Sequence, residues 1–170
     1  NGWGSVPQGK PVPTELDLLE GRPPSKLPAV RVDKAYDGVD RYSGAGFLLS
    51  QMLLEDVLGR SFPEIAQEFV LGPLGMTRST YQQPLPAAYH HDVASGHGDD
   101  GSPMPGGWMI HSEMGAGGLF STPRDYATFL IAARAAYHGE PGAILGHSLA
   151  REMMTREAKG TFRSEEHTSE

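Results

Sequence analysis

The sequence predicts a mainly helical piece of a single domain. Three observations carry this: four segments with helical start and stop signals, a Gly- and Pro-rich stretch between the second and third, and the chain's size. At 170 residues with 38% apolar content, the chain can bury one core but is short for two domains. Gly and Pro contribute 22 and 14 residues, interleaved with aliphatic and aromatic runs, so they read as ordered connections rather than disorder.

The elements follow in order. From Ala45 to Leu58 only Ser50, Gln51, Glu55 and Asp56 are polar, so this helix is expected to be buried around most of its circumference, with Gly59 as its stop. Ser61 and Glu64 form a capping-box pattern, and Phe62, Ile65, Ala66, Phe69 and Val70 recur at helical spacing until Gly72-Pro73 ends the run. The third helix starts at "STPRD", where Ser121 or Thr122 can cap and Pro123 suits the first turn. Its expected buried face is Tyr126, Phe129, Leu130, Ala133 and Tyr137, and Gly139 closes it. A short fourth helix spans 149–154 after Ser148. Between the second and third helices, 81–120 carries a hairpin-turn signal at Asp100-Gly101 and is the natural wall of a site.

Composition excludes several function classes. The formal net charge is -7 and the 14 Lys and Arg form no cluster, which argues against nucleic acid or an anionic membrane surface as a partner. Without cysteine there is no disulfide framework, thiolate metal site or cysteine nucleophile. No uncharged apolar run approaches the roughly 20 residues that span a bilayer. The opening "NGWGSVPQGKPVP" lacks a basic and an apolar leader region, so compartment stays open. The chain does not begin with Met, and the sequence reads as an internal fragment. Its last residues, "RSEEHTSE" over 163–170, resemble the in-frame translation of a sequencing-library adapter and are set apart as a non-native tail.

Several patterns resemble ligand-binding motifs on letters alone. "GSVPQGKP" matches phosphate-loop spacing up to Lys10, but Pro11 stands where a hydroxyl would hold magnesium. "GHGDDG" satisfies a dinucleotide fingerprint, yet "SPMP" follows instead of a helix, and two aspartates would repel a pyrophosphate. His90, His91, His97 and His111, with Asp92 and Asp99 nearby, lack the i, i+4 helical pairing that organises a zinc site and read as surface histidines. No Ser-x-x-Lys and no G-x-S-x-G elbow exists, so the chain shows no activated serine of its own.

"RYSGAGFLLSQMLLEDVLGRSFPEIAQEFVLGPLGMTRSTY" over 41–81, followed by "GAGGLFSTPRDYATFLIAA" over 115–133, resembles the middle of the serine beta-lactamase-related family. That family includes class C beta-lactamases, penicillin-binding proteins, D-alanyl-D-alanine peptidases and esterase-like hydrolases. The resemblance implies an α/β chain of the α+β type, covering mainly the helical part of a beta-lactamase/transpeptidase-like domain. Residues 1–162 would be that partial domain, without the Ser-x-x-Lys segment and the later strand motif. It implies acyl-serine chemistry on a small ester, amide or beta-lactam, with no metal and no organic cofactor.

Of the family's three active-site motifs only Tyr-x-Asn is represented, as Tyr42-Ser43-Gly44. Tyr42 would be the general base and acid, its phenol taking the serine proton and returning one to the leaving group. The alternative for Tyr42 is a packing anchor ahead of a helix. Gly44 stands at the family's Asn position, a substrate-binding position, and cannot supply the amide, which favours esterase-like chemistry over lactam or peptide recognition. Ser43 reads as a helix-start residue. The 170-residue chain by itself is expected to be inactive. Two other readings stand beside the hydrolase: a catalytically dead, penicillin-recognising-like binding module, and a helical interaction domain.

Overall fold

Capping chemistry sets where the helices begin and end. The computed structural model of the protein describes residues 5–32 and 42–155, so the tail over 163–170 and the beginning of the family-like stretch at Arg41 lie outside the described residues. In α1 (Glu15–Glu20) the Asp17 N–H donates to Thr14 Oγ1 at 3.1 Å and the Thr14 N–H donates to Asp17 Oδ2 at 2.9 Å. Six residues are too few for a periodic signal, so this helix is not legible in the sequence. α2 (Gly44–Leu58) starts at Ser43, whose Oγ accepts the Gly46 N–H at 3.1 Å, and stops at Gly59 in the left-handed region.

The capping box of Ser61 and Glu64 opens α3 (Phe62–Ala66) as expected, and the chain continues into a π-helical turn over Gln67–Leu71 before Gly72. Thr122, not Ser121, caps α5 (Pro123–His138), accepting from the Asp125 N–H at 3.2 Å. α6 (His147–Met153) starts two residues before the expected Leu149.

The Gly- and Pro-rich segment is ordered by pairing. Asp100-Gly101 makes the expected turn: the Gly98 N–H donates to Ser102 O at 2.8 Å, and Asp100 accepts from the Ser102 N–H and Oγ at 2.9 and 2.6 Å. The "GHGDDG" stretch is therefore a self-capped turn. Two short strands, β1 (Val6–Pro7) and β2 (Met109–Ile110), pair antiparallel with Val6 opposite Ile110. The following "EMGAGGLF" forms one helical turn, α4 (Met114–Gly117), rather than a loop. A Cβ at Gly118 would sit 2.7 Å from the Met114 Cα, so only glycine lets the chain double back there.

The two family-like stretches are physically joined. Thr80 and Phe120 exchange backbone hydrogen bonds of 2.9 and 3.0 Å. Beside this bridge the buried Asp125 carboxylate accepts the Arg78 N–H at 2.9 Å and the Ser79 hydroxyl at 2.8 Å. The segment after α3 is thereby locked to the first turn of α5, where an acidic group also suits the helix dipole.

Leu18, Leu48, Ile65, Leu71, Met76, Leu85 and Ile110 form the buried apolar core. Two expected faces are corrected by the structure. α2 is buried on one side only, through Leu48 and Gln51, because α1, α3 and α4 pack on it while Phe47, Leu49, Leu53 and Val57 are exposed. In α5 Tyr126 and Leu130 are exposed, and the contact with α6 buries Ala136 instead. The open faces of α2, α3 and α5 border an apolar groove of about 580 Å³ lined by Leu54, Phe62, Phe69, Tyr81 and Phe129. The fold is thus a mixed one, helices with a small antiparallel sheet, as the α/β reading requires.

Glu15 of α1 meets Glu55 of α2. Burial, a hydrogen bond from Glu55 and its charge raise the Glu15 pKa from 4.5 to about 7, while the Gln51 hydrogen bond opposes the shift. A raised carboxyl pKa stabilises the fold below the unfolded value, and that contribution is lost as pH rises through about 7. Glu15→Gln should therefore flatten the decline in stability between pH 5 and pH 8. The expected difference from the parent chain is about 1 kcal/mol after discounting for solvent screening, read by urea denaturation at both pH values.

Candidate active site

Gln51 is the polar residue of α2 that never reaches solvent, at 1% exposure. Its Nε2 donates to Ser112 O at 3.1 Å and also meets Glu15 Oε1, while its Oε1 accepts the Gly115 N–H at 2.8 Å. One side chain thus binds α1, the segment after β2 and α4 to the middle of α2. Ser112 adds a hydroxyl bond to Pro13 O, and Gln83 takes the His111 N–H at 3.4 Å while donating to Gly118 O at 3.0 Å. These bonds hold residues 111–118 as a fixed wall beside the start of α2.

Between that wall and the helix start lies a cavity of about 270 Å³, lined by Tyr42, Gly44, Ala45, His111, Glu113, Ala116 and Gly117. Both residues expected from sequence, Tyr42 and Gly44, border it. Tyr42 is 86% exposed among the described residues, so its ring is not a packing anchor of this core. Ser43 is occupied as the helix cap, as its sequence reading anticipates.

The chemistry of the wall comes from two residues to which the sequence gave no such role. Glu113 is 2% exposed, and its Oε1 lies 3.2 Å from His111 Nδ1. Its second oxygen, Oε2, is buried without a hydrogen-bond partner among the described residues. An unsatisfied buried acceptor costs about 1–3 kcal/mol, so the carboxyl group favours a donor. His111 also borders a larger, more polar groove of about 830 Å³ with Thr14, Glu15, Gln83 and Ser112, and so forms a partition between the two spaces.

The other histidines lie elsewhere. His90 bonds Leu85 O at 2.8 Å through Nε2 and stacks edge-on against Trp108 at 5.0 Å. No three His, Cys, Asp or Glu side chains among the described residues are grouped as a metal site. Glu113 carried no local signal, since an acidic residue before a glycine-rich turn reads as solvent-facing and its burial comes from segments distant in the chain. Gln51 carried no signal, since one amide in an apolar helix also fits a solvent-facing position.

Replacing Gln51 by Leu keeps the volume but strands the Gly115 N–H and the Ser112 carbonyl. A loss of about 2–4 kcal/mol in urea unfolding is expected, with faster amide exchange at Gly115 than at the well-separated Ala136.

The sequence profile described as Beta-lactamase matches residues 22–170. No curated protein sequence matches the chain. Among solved structures, the octameric penicillin-binding protein homologue from Pyrococcus abyssi is 25% identical with a TM-score of 0.59, over 86% of this chain and 31% of that one. The penicillin-binding protein from Bacillus halodurans is 25% identical with a TM-score of 0.58, over 90% of this chain and 44% of that one. A D-stereospecific amidohydrolase from Streptomyces shares the fold at 22% identity and a TM-score of 0.54, over 72% of this chain and 35% of that one. The chain therefore spans between about a third and under half of the length of these proteins. With most of its length matched by the family profile, and its fold shared with penicillin-binding proteins, the chain belongs to the Beta-lactamase family.

Proposed function

We propose that this chain supplies the tyrosine-bearing wall of a serine hydrolase active site acting on a small ester, amide or beta-lactam. Tyr42 is the general base and acid, and Gly44 lines the substrate space. The observation that carries the reading is the position of Tyr42: it stands at the mouth of a helix anchored through Gln51, on a cavity that Gly44 and Glu113 also border. As its phenolate, a tyrosine there can take the proton of a serine hydroxyl as the serine attacks, and the phenol so formed can return that proton to the leaving group. Family membership supports the reaction class.

Gly44 supports ester substrates over lactams or peptides, because no side-chain amide reaches the acyl group from that position. The same residue favours a second reading, a binding module that recognises such compounds without turning them over.

In a protein that joins this chain to a Ser-x-x-Lys segment and the later strand motif of the family, Tyr42→Phe should lower kcat by about 10²–10⁴-fold with an unchanged melting temperature. An unchanged kcat would remove Tyr42 from the machinery. The 170-residue chain alone is expected to hydrolyse neither a chromogenic beta-lactam nor an activated short-chain ester; turnover abolished by a serine-directed phosphonate would overturn that expectation.

A further inference from the structure

We infer that His111 is a second proton-transfer residue of the Tyr42 cavity, oriented by Glu113, and that it takes the proton of the water that hydrolyses the acyl-serine. The backbone around it is fixed. Gln83 accepts the His111 N–H at 3.4 Å, and the neighbouring Ser112 and Gly115 are tied to Gln51 at 3.1 and 2.8 Å. The ring is fixed as well: Nδ1 lies 3.2 Å from Oε1 of Glu113, which is 2% exposed. A Cβ at residue 117 would stand 3.4 Å from the same nitrogen, so Gly117 leaves room beside the ring.

Among the described residues this ring is the hydrogen-bond partner of the Glu113 carboxyl, whose other oxygen is buried without one. A carboxylate seated on Nδ1 keeps the ring proton on that nitrogen and leaves the lone pair on Nε2. Nε2 has no partner among the described residues and is not closed off as the second Glu113 oxygen is, so it reaches the open space that the ring borders. A buried acid, an imidazole in one tautomer and a free basic nitrogen are the parts of a general base. Tyr42 borders the same cavity.

In the step assigned to His111, the oxygen of water bonds to the acyl carbon while its proton passes to Nε2. The bond from that carbon to the serine oxygen then breaks, and the imidazolium gives the proton to that oxygen, releasing the acid and restoring the serine. Glu113 touches no reacting atom; it is a positioning residue that holds the ring and stabilises the imidazolium.

The assignment rests on the proposed function for the acyl-serine, and its tests separate the two. In a protein that joins this chain to the Ser-x-x-Lys segment and the later strand motif, p-nitrophenyl acetate reports acylation by nitrophenol release. Mass spectrometry follows decay of the acetyl-enzyme once the ester is removed. His111→Gln is expected to leave acylation unchanged and to slow that decay by about 100-fold. Decay at the parent's rate, or acylation that falls in step with decay in a folded variant, overturns the assignment and leaves Tyr42 in place. A parent protein that releases no nitrophenol removes the hydrolase reading and this assignment together.

A second measurement needs neither turnover nor a variant: imidazole nitrogen NMR of the 170-residue chain above neutral pH. The proton is expected on Nδ1 of His111, and a proton on Nε2 overturns the assignment whether or not His111→Gln folds. Glu113→Gln is expected to shift that tautomer balance and to slow acetyl-enzyme decay, with no added effect in the His111→Gln background. A further loss there overturns its positioning role.

Discussion

The amide of Gln51 is the constraint on which the candidate site depends. It is the point where α1, the segment following β2 and α4 are all tied to one helix. An apolar residue there could pack the helices together but could not set their register, because dispersion contacts are not directional. Three polar partners on one buried side chain allow a single arrangement. That arrangement brings residues 111–117, distant in sequence, opposite Tyr42 and Gly44.

A second lock works at the other end of the described structure. Asp125 and the Thr80–Phe120 bridge join the stretch after α3 to the start of α5, which explains why two separated sequence patterns occur together. With both ends fixed, the backbone between Phe120 and His111 has little freedom, and the tight reversal at Gly118 becomes obligatory. Glu113 is carried inward by this geometry and not by its own preference, since a carboxyl group is seldom buried unless it is paired. A buried polar group of this kind, half satisfied and beside a cavity, is a feature that calls for an explanation.

Much of this was legible in the sequence. The starts and stops of α2, α3 and α5 followed from Ser43, Gly59, the Ser61–Glu64 box, Pro123 and Gly139, because capping is local chemistry between residues a few positions apart. The turn at Asp100-Gly101 followed for the same reason. Tyr42 and Gly44 were singled out through the family-like pattern around them, and both line one cavity. The short helices α1 and α4 were not legible, since six and four residues give no periodicity to read. Nor was the exposed side of α2: a run of apolar residues states that a face is suited to burial, whereas the described elements cover only the side of Leu48 and Gln51.

What the sequence alone determined is therefore what depends on neighbours along the chain: helix ends, turns, the acidic charge, and the family resemblance with its tyrosine. Tertiary structure decided which polar residues matter. Glu113 and His111 look like ordinary surface residues until the Gln51 hydrogen bonds press their segment against the start of α2. Burial and the loss of a partner arise only from contacts between residues far apart in the chain, so no local pattern could have announced them.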